Sequence, residues 1–124
     1  MMIYNGDLFD PPAPFVLISI RNPIIKKRIS NIPMLLDTGA DVSLLPTKFL
    51  EDFEFSAGEP QKLGGFDGKE DIFQTVFVQL IFLGKRFNGE FCLINQEYGI
   101  LGRDILNNFS LVFDGKSLSW YELE

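Results

Sequence analysis

From Asn31 to Pro46 the sequence reads NIPMLLDTGADVSLLP, an apolar run that stops at Asp-Thr-Gly and resumes as a second apolar run. Both runs are too short for stable helices and rich enough in aliphatic residues for strands, so Asp37 to Asp41 forms a sharp connection between them. A carboxylate in that position is either a turn residue facing water or a reagent held at the edge of a core. The rest of the chain decides which fold surrounds it.

Other segments repeat the pattern. FVLISI is strand-like and ends at Asn22-Pro23, and Pro46 opens a short turn through TKFLEDF. In IFQTVFVQLIFL, the longest apolar run, Val76, Val78, Leu80 and Phe82 share one side of a strand, while Phe77, Ile81 and Leu83 make the other side apolar. A strand covered on both faces has this composition. Gly84-Lys85 then turns into RFNGEFCLI to make a long hairpin. GILG is a short buried strand, RDILNNF is about two turns of helix, and Asp114-Gly115 turns between two last strands. Short strands with glycine punctuation predict an all-β, closed barrel-like domain with one short C-terminal helix. Residues 1–14, with Asn5-Gly6 and a proline cluster, read as an irregular arm, and residues 15–124 as a single domain.

Composition removes many function classes. The 124 residues, 46% hydrophobic and with 13 phenylalanines, suit one domain with a real core. A formal charge of -6 argues against a nucleic-acid partner, since little would neutralise a phosphate backbone. The basic cluster Lys26 to Arg28 reads as the solvated crossing of a hairpin. Cys92 is alone in the apolar stretch GEFCLI and reads as a small buried hydrophobe, consistent with a reducing, cytoplasmic setting. No apolar run approaches membrane-spanning length, and neither end looks like a signal segment.

With no histidine, a Ser-His-Asp triad, a Cys-His pair and any histidine-bearing zinc site are excluded. One cysteine cannot build a thiolate metal site. Asp37 and Asp41 lack the ligand spacing of a calcium loop, and GGFDGKE lacks the ending of a phosphate-binding loop. Asn108-Phe109-Ser110 matches a glycosylation pattern by chance. Carboxylates remain. One carboxylate activates water when a second shares its proton, because two like charges a few ångströms apart do not both ionise cheaply. Asp-Thr-Gly occurs once, so such a pair requires two chains meeting at a two-fold axis. Thr38 offers a hydroxyl to fix the loop, and Gly39 permits close backbone approach.

LLDTGADVSLLP followed by ILGRDIL resembles the retropepsins, the homodimeric aspartic proteases of retroviral type, over about Phe15 to Phe113. The resemblance implies the acid protease fold with a flap hairpin, and an endopeptidase without metal or organic cofactor acting on peptide or protein substrates. It implies Asp37 as the catalytic carboxylate, Thr38 as an interchain hydrogen-bonding residue, and Gly39, Ala40 and Asp41 as substrate contacts. Asp41 would pair with Arg103, while Gly102, Arg103 and Asp104 support the site. Gly64, Gly65, Phe66 and Gly68 fall in the flap region, where Phe66 shields the site or fills a substrate pocket. Asp67 and Lys69 make this flap tip more polar than the viral one. The alternative implied by the same residues is a dimerising, peptide-binding domain that does not cut. In the terminal SLSWYELE, Leu118, Trp120 and Leu123 are expected either to join an intersubunit sheet or, for Trp120, to cap the monomer core.

Overall fold

The computed structural model describes residues 1–51, 53–64 and 68–124. Twelve strands follow in order: β1 (Met2–Ile3), β2 (Phe15–Arg21), β3 (Arg28–Leu36), β4 (Leu44–Pro46), β5 (Ser56–Ala57), β6 (Gln61–Gly64), β7 (Glu70–Phe73), β8 (Thr75–Phe82), β9 (Lys85–Ile94), β10 (Gly99–Leu101), β11 (Leu111–Asp114) and β12 (Ser119–Glu122). A 3-10 turn at Thr47–Phe49 follows Pro46, and the helix α1 spans Arg103–Leu106.

The main sheet runs β2-β3-β10-β4-β9-β8-β5, and an additional β2–β8 pairing closes it. Six of its strands form a ring, and β5 hangs from β8. Closure removes the exposed edges that an open sheet of these short strands would present. The pairs β3–β10 and β4–β9 are parallel, and the remaining pairs of the ring are antiparallel.

Alternation along β2 and β8 fills the barrel. Ile18 and Ile20 from β2, and Val76, Val78, Leu80 and Phe82 from β8, are buried with Ile32, Met34, Leu45 and Leu101. The other face of β8 is only partly covered: Phe77 is exposed, whereas Thr75 and Gln79 are buried. Gln79 reaches Asn88 Oδ1 through its side-chain nitrogen at 3.1 Å. The apolar run read as one strand is in fact two, because the ladder breaks at Gln74: Glu70–Phe73 pairs with β6, and Thr75–Phe82 pairs with β9. The β8–β9 turn places Leu83 at φ 49° and Gly84 at φ 79°, left-handed geometry that suits a two-residue hairpin.

A separate sheet, β1-β12-β11, covers one side of the barrel. Its anchor is Trp120, fully buried, which stacks on Phe82 at 6.0 Å between ring centroids and donates from its indole nitrogen to the Phe15 carbonyl at 2.9 Å. Of the two roles expected for Trp120, capping the monomer core is the one observed. The first residues lie against the domain: β1 is part of this sheet, Asn5 Oδ1 accepts the N–H groups of Asp7 and Leu8, and Phe9 packs against Tyr98 and Phe15. Cys92 is buried on β9, and burial, reinforced by the Asp104 carboxylate, pushes its thiol up from its ordinary value.

Candidate active site

β3 and β10 run parallel as far as Leu36 and Leu101, and both chains leave the barrel there. The Asp37 N–H donates to the Leu101 carbonyl at 3.0 Å, which fixes where the loop begins. Within the loop, Asp37 Oδ1 accepts the Gly39 N–H at 2.9 Å and the Asp37 carbonyl accepts the Ala40 N–H at 3.2 Å. Asp37 is half-buried, and Thr38 and Gly39 are exposed at the tip. A turn aspartate folds back on its own backbone in the same way, so this contact alone does not separate a turn residue from a reagent.

What surrounds the loop comes from more distant sequence. Gly102 packs so closely beneath it that a Cβ there would lie 2.7 Å from the Val42 carbonyl and 2.9 Å from the Ala40 oxygen. Arg103 donates its backbone N–H to the Ala40 carbonyl at 2.9 Å and a guanidinium N–H to the Thr38 carbonyl at 2.8 Å. Its other guanidinium nitrogen pairs with Asp41 Oδ1. Both side chains of that pair are substantially solvated, so its role is to orient the loop more than to add stability.

A second clamp closes the far end. The Asp104 carboxylate accepts the Ser43 N–H at 3.0 Å on one oxygen and the Ser43 hydroxyl at 2.7 Å on the other. The same hydroxyl accepts the Gly102 N–H at 3.0 Å. The loop is therefore held at Thr38, Ala40, Asp41 and Ser43 by three consecutive residues, Gly102 to Asp104. Ser43 is the member that the sequence reading did not single out. Its signal in the sequence is a lone polar residue between Val42 and Leu44, just before an aliphatic strand, and the structure buries it.

The loop borders an open cleft of about 410 Å³. Gly39, Ala40, Asp41, Val42 and Leu44 form one wall, and Leu63 and Gly64 of the β6–β7 hairpin form the other. Val42, Leu44 and Leu63 give it an apolar lining that sequence spacing alone did not reveal. Of the expected flap residues, Gly64 is at the cleft, whereas Gly65, Phe66 and Asp67 lie outside the described residues. Gly68, just beyond them, has φ 75°.

No family model matches the chain, and neither does any curated protein. Among solved structures it is similar to EIAV protease complexed with the inhibitor HBY-793, at 25% identity and a TM-score of 0.58, covering 85% of this chain and 91% of that one. The fold is retropepsin-like. In this retropepsin-like fold the Asp37 loop, the cleft and the β6–β7 hairpin adjoin one another, while Phe9 packs on Tyr98, and neither of these two is among the residues that line the cleft. No helix among the described residues is long and apolar enough to cross a membrane.

Proposed function

We propose that the protein is an aspartic endopeptidase in which two copies of the chain each contribute Asp37 to one site. The observation that carries this reading is the clamped loop. Asp37, in the one Asp-Thr-Gly of the chain, accepts the Gly39 N–H, and its loop is braced by Gly102, Arg103 and Asp104 at the rim of an apolar-lined cleft, in a retropepsin-like barrel. A solvated turn has no need of a brace assembled from the other end of the sequence.

One Asp37 carboxylate takes a proton from a bound water as the water attacks the peptide carbonyl, and its protonated mate donates to the carbonyl oxygen. The tetrahedral intermediate then collapses with proton transfer to the leaving nitrogen. Gly39, Ala40 and Asp41 contact the extended substrate backbone, and Val42, Leu44 and Leu63 receive apolar side chains. The β6–β7 hairpin acts as the flap that covers the substrate. No metal or organic cofactor takes part.

The test is a diverse peptide library incubated from pH 3 to pH 8 with the parent chain and with Asp37→Asn, its products identified by mass spectrometry. Cuts made by the parent and missing from Asp37→Asn are the expected result. A folded, dimeric parent that makes no cut at any pH would overturn the reading and leave a peptide-binding domain.

A further inference from the structure

We propose that the outer face of the barrel across β3, β2, β8 and β9 is a docking surface for an extended acidic segment of another protein. The surface does not depend on the endopeptidase reading, because none of its residues lines the cleft beside Asp37.

The strand registers assemble the face. Alternation along β2 turns Ile18 and Ile20 into the core, so Ser19 and Arg21 stand outside. Arg21 is paired with Arg28 on β3 and with Gln79 on β8, and Gln79 in turn with Asn88 on β9. In the neighbouring row Ser19 is paired with Ile81, and Ile81 with Arg86. Residues directly opposite one another share a face, so Arg28, Arg21 and Arg86 all project outward from adjoining strands. The turn between β2 and β3 adds Lys26 and Lys27, both exposed. The basic cluster at that hairpin crossing is thus one end of a larger basic surface.

These charges are uncommitted. Lys48 is paired with Glu97 and Arg103 with Asp41, but none of the basic residues on this face has a carboxylate partner among the described residues. Arg28 donates to the Ser19 hydroxyl at 3.1 Å, a neutral acceptor. No acidic residue stands in either row. Glu90, the next outward residue along β9 from Asn88, lies against Gly58, where a Cβ would meet its carboxyl carbon at 2.7 Å. Glu54 borders the face at the other end, where its carbonyl accepts the Asn22 side-chain N–H at 2.7 Å. In a chain with 17 acidic residues against 11 basic ones, two rows free of carboxylates are a local reversal of charge.

The shape selects the occupant. Four strands about 4.8 Å apart span about 14 Å, and side chains on the convex outside of a barrel diverge. Guanidiniums arranged in this way do not converge on one phosphate, whereas an extended chain of about five residues covers the span and brings several carboxylates to them. Ile81 is half-buried and Leu17, next outward along β2, is 56% exposed, so apolar surface adjoins the charges and suits the side chains of a peptide better than a nucleic-acid backbone. The overall charge of -6 repels a long polyanion and leaves a short acidic segment free to use the local patch.

The test is fluorescence anisotropy of a labelled peptide in which glutamates alternate with leucine and serine, titrated with the full chain carrying Asp37→Asn so that the probe is not consumed. Binding at about 0.1 M salt that fades toward about 1 M, as the Debye length falls from about 10 Å to about 3 Å, is the expected result. Arg21→Gln and Arg86→Gln should each weaken it by about two- to fivefold, the range of a solvated ion pair, and Arg21→Lys should weaken it less. Arg86 is exposed, so its variant keeps the test open if melting curves show that Arg21→Gln does not fold. Lys116→Gln, in the exposed turn after β11, changes the net charge equally and should leave the affinity unchanged. Absence of binding, equal binding of a peptide with glutamine in place of glutamate, or an equal loss from Lys116→Gln would each overturn the proposal. So would displacement of the probe by inorganic phosphate or a single-stranded oligonucleotide at lower concentration than by the unlabelled peptide.

Discussion

Two turns in this protein begin with aspartate, and locally they look alike. Asp37 Oδ1 accepts the N–H of Gly39, two residues on, and Asp114 Oδ1 accepts those of Lys116 and Ser117, two and three residues on. Beyond that contact they diverge. Asp114 sits exposed at the end of β11, and the hydrogen bonds of its carboxylate come from Lys116 and Ser117 of the adjoining turn. Asp37 begins a loop gripped by Gly102, Arg103 and Asp104 and bordered by a cleft. Turn chemistry is thus shared between a structural aspartate and the candidate reagent. The difference lies in what the topology brings from elsewhere in the chain.

Replacing each aspartate by asparagine breaks the comparison most sharply. Asparagine keeps an oxygen to accept the turn N–H groups, so both variants should fold. Asp37→Asn should lower peptide cleavage by about a thousandfold or more, since it removes the group that accepts the water's proton. Asp114→Asn should cut at the parental rate. Initial rates on one substrate, normalised to folded dimer, make the measurement. Equal losses from both variants would show that the two turns matter only through the fold.

The brace should show itself in stability. Gly102→Ala drives a Cβ into the backbone of Val42 and Ala40, which cannot rotate aside as a side chain could. Overpacking of this kind costs about 1 to 3 kcal/mol. A lower thermal midpoint together with reduced turnover is expected, and an unchanged midpoint would show that the loop is not tightly seated. Asp104→Asn should cost less, about 1 to 2 kcal/mol, because an amide nitrogen turned toward the Ser43 N–H replaces an acceptor with a donor. A double-mutant cycle with Ser43→Ala measures that coupling, and additive losses would remove the second clamp from the account.

The ease of reading the sequence followed the same divide between local and distant. Strand, turn and strand around Asp37 were legible because glycine, proline and alternation are local signals. So were the burial of Cys92 and the Asp114-Gly115 turn. Arg103 facing Asp41 came from the resemblance, not from spacing. Pairing was illegible: nothing in IFQTVFVQLIFL marks Gln74 as the point where the chain leaves the β6–β7 hairpin for the barrel. Likewise, nothing in MMIYNG announces a partner at Ser119 and Trp120. Thr75 and Gln79 explain part of the difficulty, since polar residues buried by neighbouring strands look like a solvated face until those neighbours are known.

The smallest expected effect sharpens the comparison from the Asp114 side. Hydrogen bonds from Ser117, first from its side chain and then from its backbone, hold the Asp114 carboxyl below its ordinary range. A carboxyl lowered on folding binds its proton more readily in the unfolded chain. Its contribution to stability is therefore complete above the ordinary aspartate range and is lost as pH falls through the lowered folded value. Full exposure keeps that contribution small. Asp114→Asn should lower the neutral plateau of a thermal-midpoint profile slightly and flatten its acid limb below about pH 4, so that variant and parent converge in acid. Ser117→Ala should reproduce part of the flattening, because it removes the hydroxyl and keeps the backbone N–H. If the two variants instead lowered the midpoint equally at every pH, acid included, the turn would be acting through packing and not through the charge of Asp114. The contrast with Asp37 would then rest on geometry alone.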